Sequence, residues 1–276
     1  MDFGILARPG LPKALATSKM VLDYLRRCGK VDRVVLEDGL ARALGEEGVL
    51  LPKMNVDILV TVGGDGTVLE ALQEARGKIF AINAGVLGFL TEVSIEDAIP
   101  GLKRVLDGDY VVEKRLRLRT DIRGKRLYDS TNEAVVHTST LSKMRHYRIF
   151  LSGQLVDDVR ADGIIIATPT GSTCYAMSAG GPILDPAVNA FVIVPLAPFK
   201  ISARAVVVPS NRRISVSLMD DKPSKLVLDG QYEMTVGPKD SLEFTASKSP
   251  ARFVRFSPDF YAHMRRKLLS DPFIDR

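Results

Sequence analysis

The sequence predicts an α/β N-terminal domain, with a mostly parallel sheet and flanking helices, followed by an all-β C-terminal sandwich domain. In the first hundred residues, short apolar runs alternate with amphipathic stretches, which is typical of such a sheet. From Tyr110 to Arg255, short alternating runs rich in Val, Ile and Thr are separated by turn residues, which indicates antiparallel sheets. A last helical pattern, Asp259 to Leu269, is expected to return to the first domain. We therefore predict one domain at 1–107 with 257–276 and another at 108–256.

The elements of the first domain are predicted from the period of its apolar residues. Strands are expected at 3–7, 34–37, 57–62 and 78–83, and helices near 12–28, 40–44, 67–76 and 95–106. The strand at 57–62 is the clearest, because its aliphatic residues are continuous, as in a strand that is covered on both faces. In the second domain, the strand-like runs include YRIFLSG, DGIIIAT, FVIVPL and KLVLDG.

Composition narrows the class of protein. The 276 residues are enough for two domains, and 46% hydrophobic with 26% charged residues is an ordinary globular balance. The two cysteines, Cys28 and Cys174, lack disulfide or zinc spacing and are expected to be reduced thiols. No signal peptide or membrane span is visible, so we expect a cytoplasmic protein with no membrane partner. The net charge of +5 suits a small anionic ligand or an ordinary surface, and no basic tract with aromatic residues indicates nucleic acid.

A glycine-rich turn follows the predicted strand at 57–62. Gly63, Gly64 and Gly66 let the backbone turn sharply and approach a ligand, and the helix that follows favours an anion at its N-terminus. Asp65 is unusual among phosphate-binding glycines, because its charge repels phosphate unless it binds a metal or accepts a proton. The alternative is an Asp that only caps the helix. The turn is neither GxxxxGK[ST] nor GxGxxG, which argues against a dehydrogenase.

A second candidate site is the segment from Asp162 to Pro186. It carries small hydroxyl residues and glycines that suit hydrogen bonding to ribose and diphosphate. Ser172 lacks a GxSxG frame and a histidine partner, so a hydrolase is disfavoured. The alternative is a polar loop between a strand and a helix, with capping hydroxyls. The five hydroxyl residues that lie within eight positions are Thr168, Thr170, Ser172, Thr173 and Tyr175.

Smaller features complete the set of candidates. Asn132-Glu133 lies in a strand-like run that disfavours both residues. Asp229-Gly230-Gln231 follows the strand KLVL, where a hairpin turn is the usual meaning of Asp-Gly. The histidines, His137, His146 and His263, lack metal-ligand spacing and are expected to be surface or packing residues.

Taken together, these segments resemble the NAD kinase family over nearly the whole chain. GGDGT, NAGVLGFLTEV, NE, DGIIIATPTGSTCYAMSAGGPI and DGQ occur in the order and at the spacing of that family. GGDGT is shared with diacylglycerol, sphingosine and phosphofructo-type kinases, whereas the TPTGST segment is far more specific. The resemblance implies an α/β domain, a β-sandwich and a C-terminal helix that returns to the first domain. Cys174 departs from the family pattern, in which alanine is usual.

The resemblance also implies roles for individual residues. Asp65 matches the acidic residue that is taken as the general base for the ribose hydroxyl. Basic residues for the donor phosphates are not identified by any motif, although Arg8 is one candidate. The positions implied to bind substrate or cofactor are Gly63, Gly64, Gly66, Leu69, Phe89, Leu90, Asn132, Glu133, Lys143, Arg160, Asp162, Thr170, Thr173, Cys174, Tyr175, Ala176, Met177, Ser178, Ala197 and Gln231.

The implied activity is transfer of a phosphoryl group from ATP or polyphosphate to the 2′-hydroxyl of the adenosine ribose of NAD, giving NADP. A divalent metal ion, Mg²⁺ or Mn²⁺, is implied as cofactor, with no metal ligand identified. A homo-oligomer, dimer or tetramer, is implied because a neighbouring subunit completes much of the dinucleotide site in this family. The alternatives are a lipid or sphingoid kinase that shares GGDGT, and a non-catalytic NAD(P) sensor.

Overall fold

The computed structural model describes residues 1–8, 10–85, 88–140, 143–238, 240–257 and 259–268. The chain divides into two compact units, Met1–Lys114 with Ala251–Arg276, and Arg115–Pro250. The NAGVLGFLTEV segment includes positions 86 and 87, and the predicted last helix includes position 269; these three positions lie outside the described residues.

The first unit is built on one sheet with flanking helices. The strands are β1 Asp2–Ala7, β2 Arg33–Glu37, β3 Gly48–Val49, β4 Asn55–Gly63, β5 Arg76–Asn83, β6 Val93–Ser94, β7 Val111–Arg115 and β20 Ala251–Arg255. The strand order is β3-β2-β1-β4-β5-β20-β7, with β6 beside β5. The pairings β1/β2, β1/β4, β4/β5 and β5/β20 are parallel. The helices are α1 Pro12–Arg27, α2 Asp38–Leu44, α3 Asp65–Glu74, α4 Ala98–Leu106 and α6 Phe260–Leu268.

Strand β4 shows why the continuous apolar run forms a central strand. Two buried apolar clusters lie on opposite faces of the sheet, because successive side chains of a strand point to opposite faces. One cluster contains Ile58, Val60 and Val62, and the other contains Leu59. Both faces are covered by helices, so the run is apolar except for Thr61, which is buried as well. The prediction of an α/β fold with a mostly parallel sheet is confirmed, and its predicted strands and helices are present. Helix α3 begins at Asp65, two residues earlier than predicted.

Two strands at the junctions of the units join the first sheet. β7 is an edge strand with exposed Val111 and Val112, and β20 pairs with β5 through Phe253 and Ile79. The pattern of alternating apolar residues does not tell which sheet a strand joins. In the structure the chain passes from one unit to the other at 114/115 and 250/251, whereas the division predicted from the sequence lies at 107/108 and 256/257.

The second unit is a sandwich of two antiparallel six-stranded sheets. Its strands are β8 Leu118–Ile122, β9 Lys125–Arg126, β10 Glu133–Thr138, β11 Arg145–Leu151, β12 Gln154–Ala161, β13 Gly163–Ala167, β14 Ala190–Leu196, β15 Val206–Pro209, β16 Ile214–Leu218, β17 Ser224–Leu228, β18 Tyr232–Val236 and β19 Leu242–Ala246. The two sheets are ordered β15-β14-β13-β10-β17-β18 and β12-β11-β16-β19-β8-β9. Tyr147 and Phe244 from one sheet and Phe191 from the other are fully buried in one shared cluster, as the predicted sandwich requires. A short helix, α5, spans Tyr175–Ser178.

Helix α6 belongs to the first unit, as predicted. His263 approaches the carbonyl oxygen of Gly88 through its Nε2 at 2.6 Å. Among the described residues, no helix combines the length and the apolar character needed to cross a bilayer.

Candidate active site

The glycine-rich turn lies where β4 ends and α3 begins. In the parallel register Ala7 lies beside Val62 and Gly63 beside Asn83, so the carboxyl ends of β1, β4 and β5 share one edge of the sheet. Ligands of open α/β sheets bind at such an edge. The N-terminus of α3 adds unpaired backbone N–H groups and the positive end of the helix dipole. These features favour an anion at the turn, and Arg8 follows β1 at the same edge.

Asp65 accepts two hydrogen bonds from the backbone. The amide N–H of Phe89 donates to its Oδ2 at 2.8 Å, and that of Leu90 donates to its Oδ1 at 3.0 Å. The residue that caps α3 is Gly64, and it makes no side-chain capping bond. The alternative of Asp65 as a helix cap is therefore wrong. Its carboxylate is held in one orientation by the segment after β5, and Phe89 and Leu90 contact it through their backbone.

Gly88 is required by this arrangement. A Cβ atom at position 88 would lie 1.9 Å from Oδ1 of Asp65, far inside van der Waals contact. Any side chain there would displace the carboxylate. The glycine of this segment therefore lets the backbone approach Asp65 closely.

In the second unit, Asp229 organises the bend at Thr131 and Asn132 that leads into β10 at Glu133, called here the Asn132-Glu133 turn. Its Oδ2 accepts the N–H of Thr131 at 2.7 Å, and its Oδ1 accepts those of Asn132 at 2.8 Å and Glu133 at 3.1 Å. Asp229 is 4% exposed, and burial raises its pKa to about 6 although the three N–H bonds act in the opposite direction. Asp-Gly also forms the predicted hairpin turn, between β17 and β18. Besides forming the β17–β18 hairpin turn, Asp229 therefore positions the backbone of Asn132 and Glu133, which a hairpin turn alone does not require.

Asn132 and Glu133 present buried polar atoms that lack partners. Within the described part of the chain, Oδ1 of Asn132 and Oε2 of Glu133 have no hydrogen-bond partner. Burial, followed by the charge of Asp229, raises the pKa of Glu133 to about 8. Buried polar atoms are normally paired, so two adjacent orphans indicate a place where a ligand supplies the partners.

The hydroxyl-rich segment packs directly against this turn. The N–H of Thr168 donates to the carbonyl oxygen of Asn132 at 2.9 Å, and its hydroxyl donates to that of Thr131 at 2.5 Å. Gly171 allows the contact, because a Cβ atom there would lie 2.2 Å from the carbonyl oxygen of Asn132. Ser172 donates its hydroxyl to Pro169, so this hydroxyl is used within the loop. The loop and the Asn132-Glu133 turn therefore form one polar cluster.

The remaining predicted positions of the second unit occupy three places. Thr170 and Thr173 are buried in the loop; Tyr175 and Ser178 are exposed on α5, where Ala176 is buried and Met177 half-buried. Cys174 is half-buried at the start of that helix. The exposed Gln231 follows the β17–β18 turn. A third group lies at the end of the sandwich where β12 leads into β13, and it comprises Lys143, Arg160, Asp162 and Ala197.

Four residues that are not among the predicted site residues support it. Gly88 leaves room for the Asp65 carboxylate, and Asp229 holds the Asn132-Glu133 turn. His263 and Lys267 of α6 approach the segment that holds Asp65. The DGQ motif marked the position of Asp229. No local signal marks Lys267, because its relation to Asp65 is purely tertiary.

The carboxylate of Asp65 at the glycine turn is a hard oxygen donor of the kind that a divalent ion such as Mg²⁺ accepts. Among the described residues, no group of three or more His, Cys, Asp or Glu side chains could hold a metal ion. Mg²⁺ commonly binds through one or two carboxylates together with phosphate oxygens and water. When bound, such an ion would neutralise charge on the donor phosphates.

A glycine loop with a fixed carboxylate, at the carboxyl edge of a parallel sheet, is typical of a phosphotransferase. The comparisons agree. Residues 3–110 match the model of the ATP-NAD kinase N-terminal domain, and residues 131–256 match that of the ATP-NAD kinase C-terminal domain. The chain belongs to the NAD kinase family.

Relatives and solved structures give the same result over the full length. The chain is 42% identical to the NAD kinase of Methanothermobacter thermautotrophicus, covering 98% of this chain and 96% of that protein. It is 41% identical to that of Thermococcus kodakarensis, covering 98% and 99%. The NAD kinase of Archaeoglobus fulgidus, solved in complex with ATP, is 29% identical with a TM-score of 0.78, covering 98% and 100%. Yeast NADH kinase, complexed with NADH, shares the fold at 23% identity with a TM-score of 0.86, covering 100% and 89%.

Proposed function

We propose that this chain transfers the terminal phosphoryl group of ATP to the 2′-hydroxyl of the adenosine ribose of NAD, giving NADP. The observation that carries the proposal is the carboxylate of Asp65, held by two backbone N–H bonds inside a glycine-rich anion loop. Membership of the NAD kinase family supports the substrates. The structure of the Archaeoglobus relative in complex with ATP is consistent with ATP as the donor, and that of the yeast enzyme with NADH is consistent with a nicotinamide dinucleotide as the acceptor.

In this mechanism Asp65 is the general base. Each carboxylate oxygen accepts one N–H and keeps a lone pair for a further proton. The 2′-oxygen attacks the γ-phosphorus of ATP, its proton passes to Asp65, and the bond to the β-phosphate bridging oxygen breaks to release ADP. General-base help of this kind is worth about 10²–10⁴-fold. The glycine loop and the N-terminus of α3 bind donor phosphates through N–H groups.

We further propose that NAD satisfies the orphaned atoms of the second unit. With a pKa of about 8, Glu133 is mostly protonated at neutral pH, so it can donate a hydrogen bond to the ligand as well as accept one. Oδ1 of Asn132 accepts a hydrogen bond. The remaining proposed contacts are Gly63, Gly64, Gly66, Leu69, Phe89, Leu90, Lys143, Arg160, Asp162, Thr170, Thr173, Cys174, Tyr175, Ala176, Met177, Ser178, Ala197 and Gln231.

A homo-oligomer remains part of the proposal. The loop between β14 and β15 exposes Phe199 at 75% and Ile201 at 89%, and it follows Ala197, one of the proposed contacts. A second copy of the chain that covers these apolar side chains would also approach the dinucleotide. Sedimentation velocity should show a dimer or tetramer that Ile201→Lys weakens; a monomer at every concentration would refute this part.

The test of the activity is an end-point assay for NADP with NAD and Mg²⁺, comparing ATP, polyphosphate and no donor, with and without EDTA. NADP with either donor, abolished by EDTA, is the expected result. Asp65→Asn should lower kcat by about 10²–10⁴-fold. Binding of NAD, measured by titration calorimetry, should persist. Glu74→Gln, at the far end of the same helix, is the matched control.

The outcomes separate the proposal from its alternatives. NAD binding without NADP from any donor would establish a sensor. Absence of NAD binding together with phosphorylation of diacylglycerol or sphingosine would establish a lipid kinase. The comparisons give no support to a lipid kinase. A cytoplasmic location stays a prediction.

A further inference from the structure

The proposed reaction needs a cation beside the glycine loop. A transferring phosphoryl group carries its charge on three equatorial oxygens, and enzymes stabilise that charge with Lys, Arg or metal ions. In this chain the turn itself supplies only backbone N–H groups. A side-chain cation at the turn therefore comes from a residue outside the turn.

Helix α6 places an ammonium group at this point. Nζ of Lys267 lies 3.9 Å from Oδ2 of Asp65 and 4.0 Å from the centre of the Phe89 ring. Phe89 is the residue whose N–H holds Asp65, so one short segment contacts both charged groups. An ammonium over an aromatic face is attracted by the ring quadrupole. Lys267 is thereby held next to the proposed base although it lies near the other end of the chain.

The contact leaves the ammonium available to a ligand. A separation of 3.9 Å is too long for a hydrogen bond, and Nζ of Lys267 donates no hydrogen bond to any described residue. Its three N–H donors are therefore free to bind phosphate oxygens. The Lys267 side chain is 29% exposed, which leaves solvent access on one side.

The position of α6 is set by a second contact. Nε2 of His263 lies 2.6 Å from the carbonyl oxygen of Gly88 and must donate to it, because a carbonyl only accepts. Burial lowers the pKa of His263, which favours the neutral ring with its proton on Nε2. Two neighbouring residues after β5 therefore make both contacts: the carbonyl oxygen of Gly88 accepts the hydrogen bond from α6, and the N–H of Phe89 donates to Asp65.

We propose that Lys267 binds the transferred phosphoryl group and stabilises its charge in the transition state, a role that rests on the proposed NAD kinase activity. The acceptor hydroxyl must lie about 3 Å from Asp65 to lose its proton. The phosphorus that this oxygen attacks then lies within reach of the flexible Lys267 side chain. The bond from the 2′-oxygen to phosphorus forms and the β–γ bridging bond breaks. The hydroxyl proton goes to Asp65, and Lys267 keeps its own proton throughout.

The experiment compares Lys267→Met, Lys267→Arg and the control Arg265→Met in the full chain. Met keeps the apolar stem over Phe89 but removes the charge, and Arg265 is an exposed cation on the same helix. Lys267→Met should lower kcat about 10²–10³-fold, as loss of one transition-state donor does elsewhere. The KM for NAD should change little, Lys267→Arg should recover most of the activity, and Arg265→Met should resemble wild type. Equal melting temperatures would show that the variants fold.

A binding measurement separates failure of this proposal from failure of the proposed activity. Titration with Mg·ATP in the absence of NAD should show a Kd at least about tenfold higher in Lys267→Met, since a charge-assisted hydrogen bond is lost. If wild type binds ATP but makes no NADP, the kinase assignment fails, and this Kd alone decides the role of Lys267. Unchanged kcat and unchanged Kd, or an equal loss in Arg265→Met, would overturn the proposal.

Discussion

Glu133 makes the stability of the ligand-free protein depend on pH. It is 8% exposed, and its pKa is raised from 4.5 to about 8, first by burial and then by the charge of Asp229. The unfolded chain releases this proton near pH 4.5 and the folded chain only near pH 8. Between these values the folded state binds more protons, so stability is complete below pH 4.5 and is lost as the pH rises towards 8.

The magnitude follows from the difference between 4.5 and about 8. At roughly 1.4 kcal/mol per pH unit, the lost free energy of unfolding is on the order of 5 kcal/mol. Asp229 adds a further loss of stability with rising pH, over the range from 3.8 to about 6, because its pKa is raised between these two values. The substitution Glu133→Gln keeps the size and polarity of the side chain but cannot ionise. It removes the larger of the two losses.

Urea unfolding of ligand-free protein at pH 5, 7 and 9, followed by circular dichroism, measures this effect. Wild type should lose stability steadily over that range, and Glu133→Gln should lose much less and be the more stable protein at pH 9. Glu233→Gln, an exposed carboxylate paired with Lys225, is the control and should follow wild type. Parallel curves for Glu133→Gln and wild type would refute the reasoning about burial.

Two further predictions concern the residues that hold the site. Gly88→Ala should lower kcat at least about tenfold with little change in melting temperature, because its Cβ displaces Asp65, whereas Gly85→Ala, which has open space, should be neutral; equal kinetics of the two variants would contradict this. Asp229→Asn should cost about 2–4 kcal/mol in urea unfolding and raise the KM for NAD, because an amide NH₂ must replace one acceptor of a backbone N–H. The exposed Asp221→Asn serves as its control, and a stability loss below about 0.5 kcal/mol in Asp229→Asn would show that the carboxylate does not hold the turn.

Local patterns predicted the elements around the site well. A continuous apolar run, three glycines and an amphipathic stretch predict β4, the glycine turn and α3, because each signal lies within a few residues of the structure that it forms. The all-β pattern likewise predicted the sandwich. It did not assign β7 and β20 to a sheet, since strand pairing depends on which edge is available in the folded chain.

For Asp65, the sequence and the tertiary structure contribute different information. Its place in GGDG indicated chemistry, but the motif equally allowed a helix cap. The structure argues against the cap, because Phe89 and Leu90 donate their N–H groups to the two carboxylate oxygens; the role as general base stays a proposal. Those donors follow a different strand of the sheet, and no local rule places them.

By itself the sequence determined the two kinds of domain, the glycine loop, the polar segments and, through their order and spacing, the resemblance to NAD kinases. These are properties of short segments, whose periodicity and turn residues act locally. Only the tertiary structure decided that Asp229 holds Asn132, 97 positions away, and that Lys267 stands beside Asp65. Such contacts depend on how strands pair and where a helix packs, and those choices are made by the burial of the whole chain rather than by any segment of it.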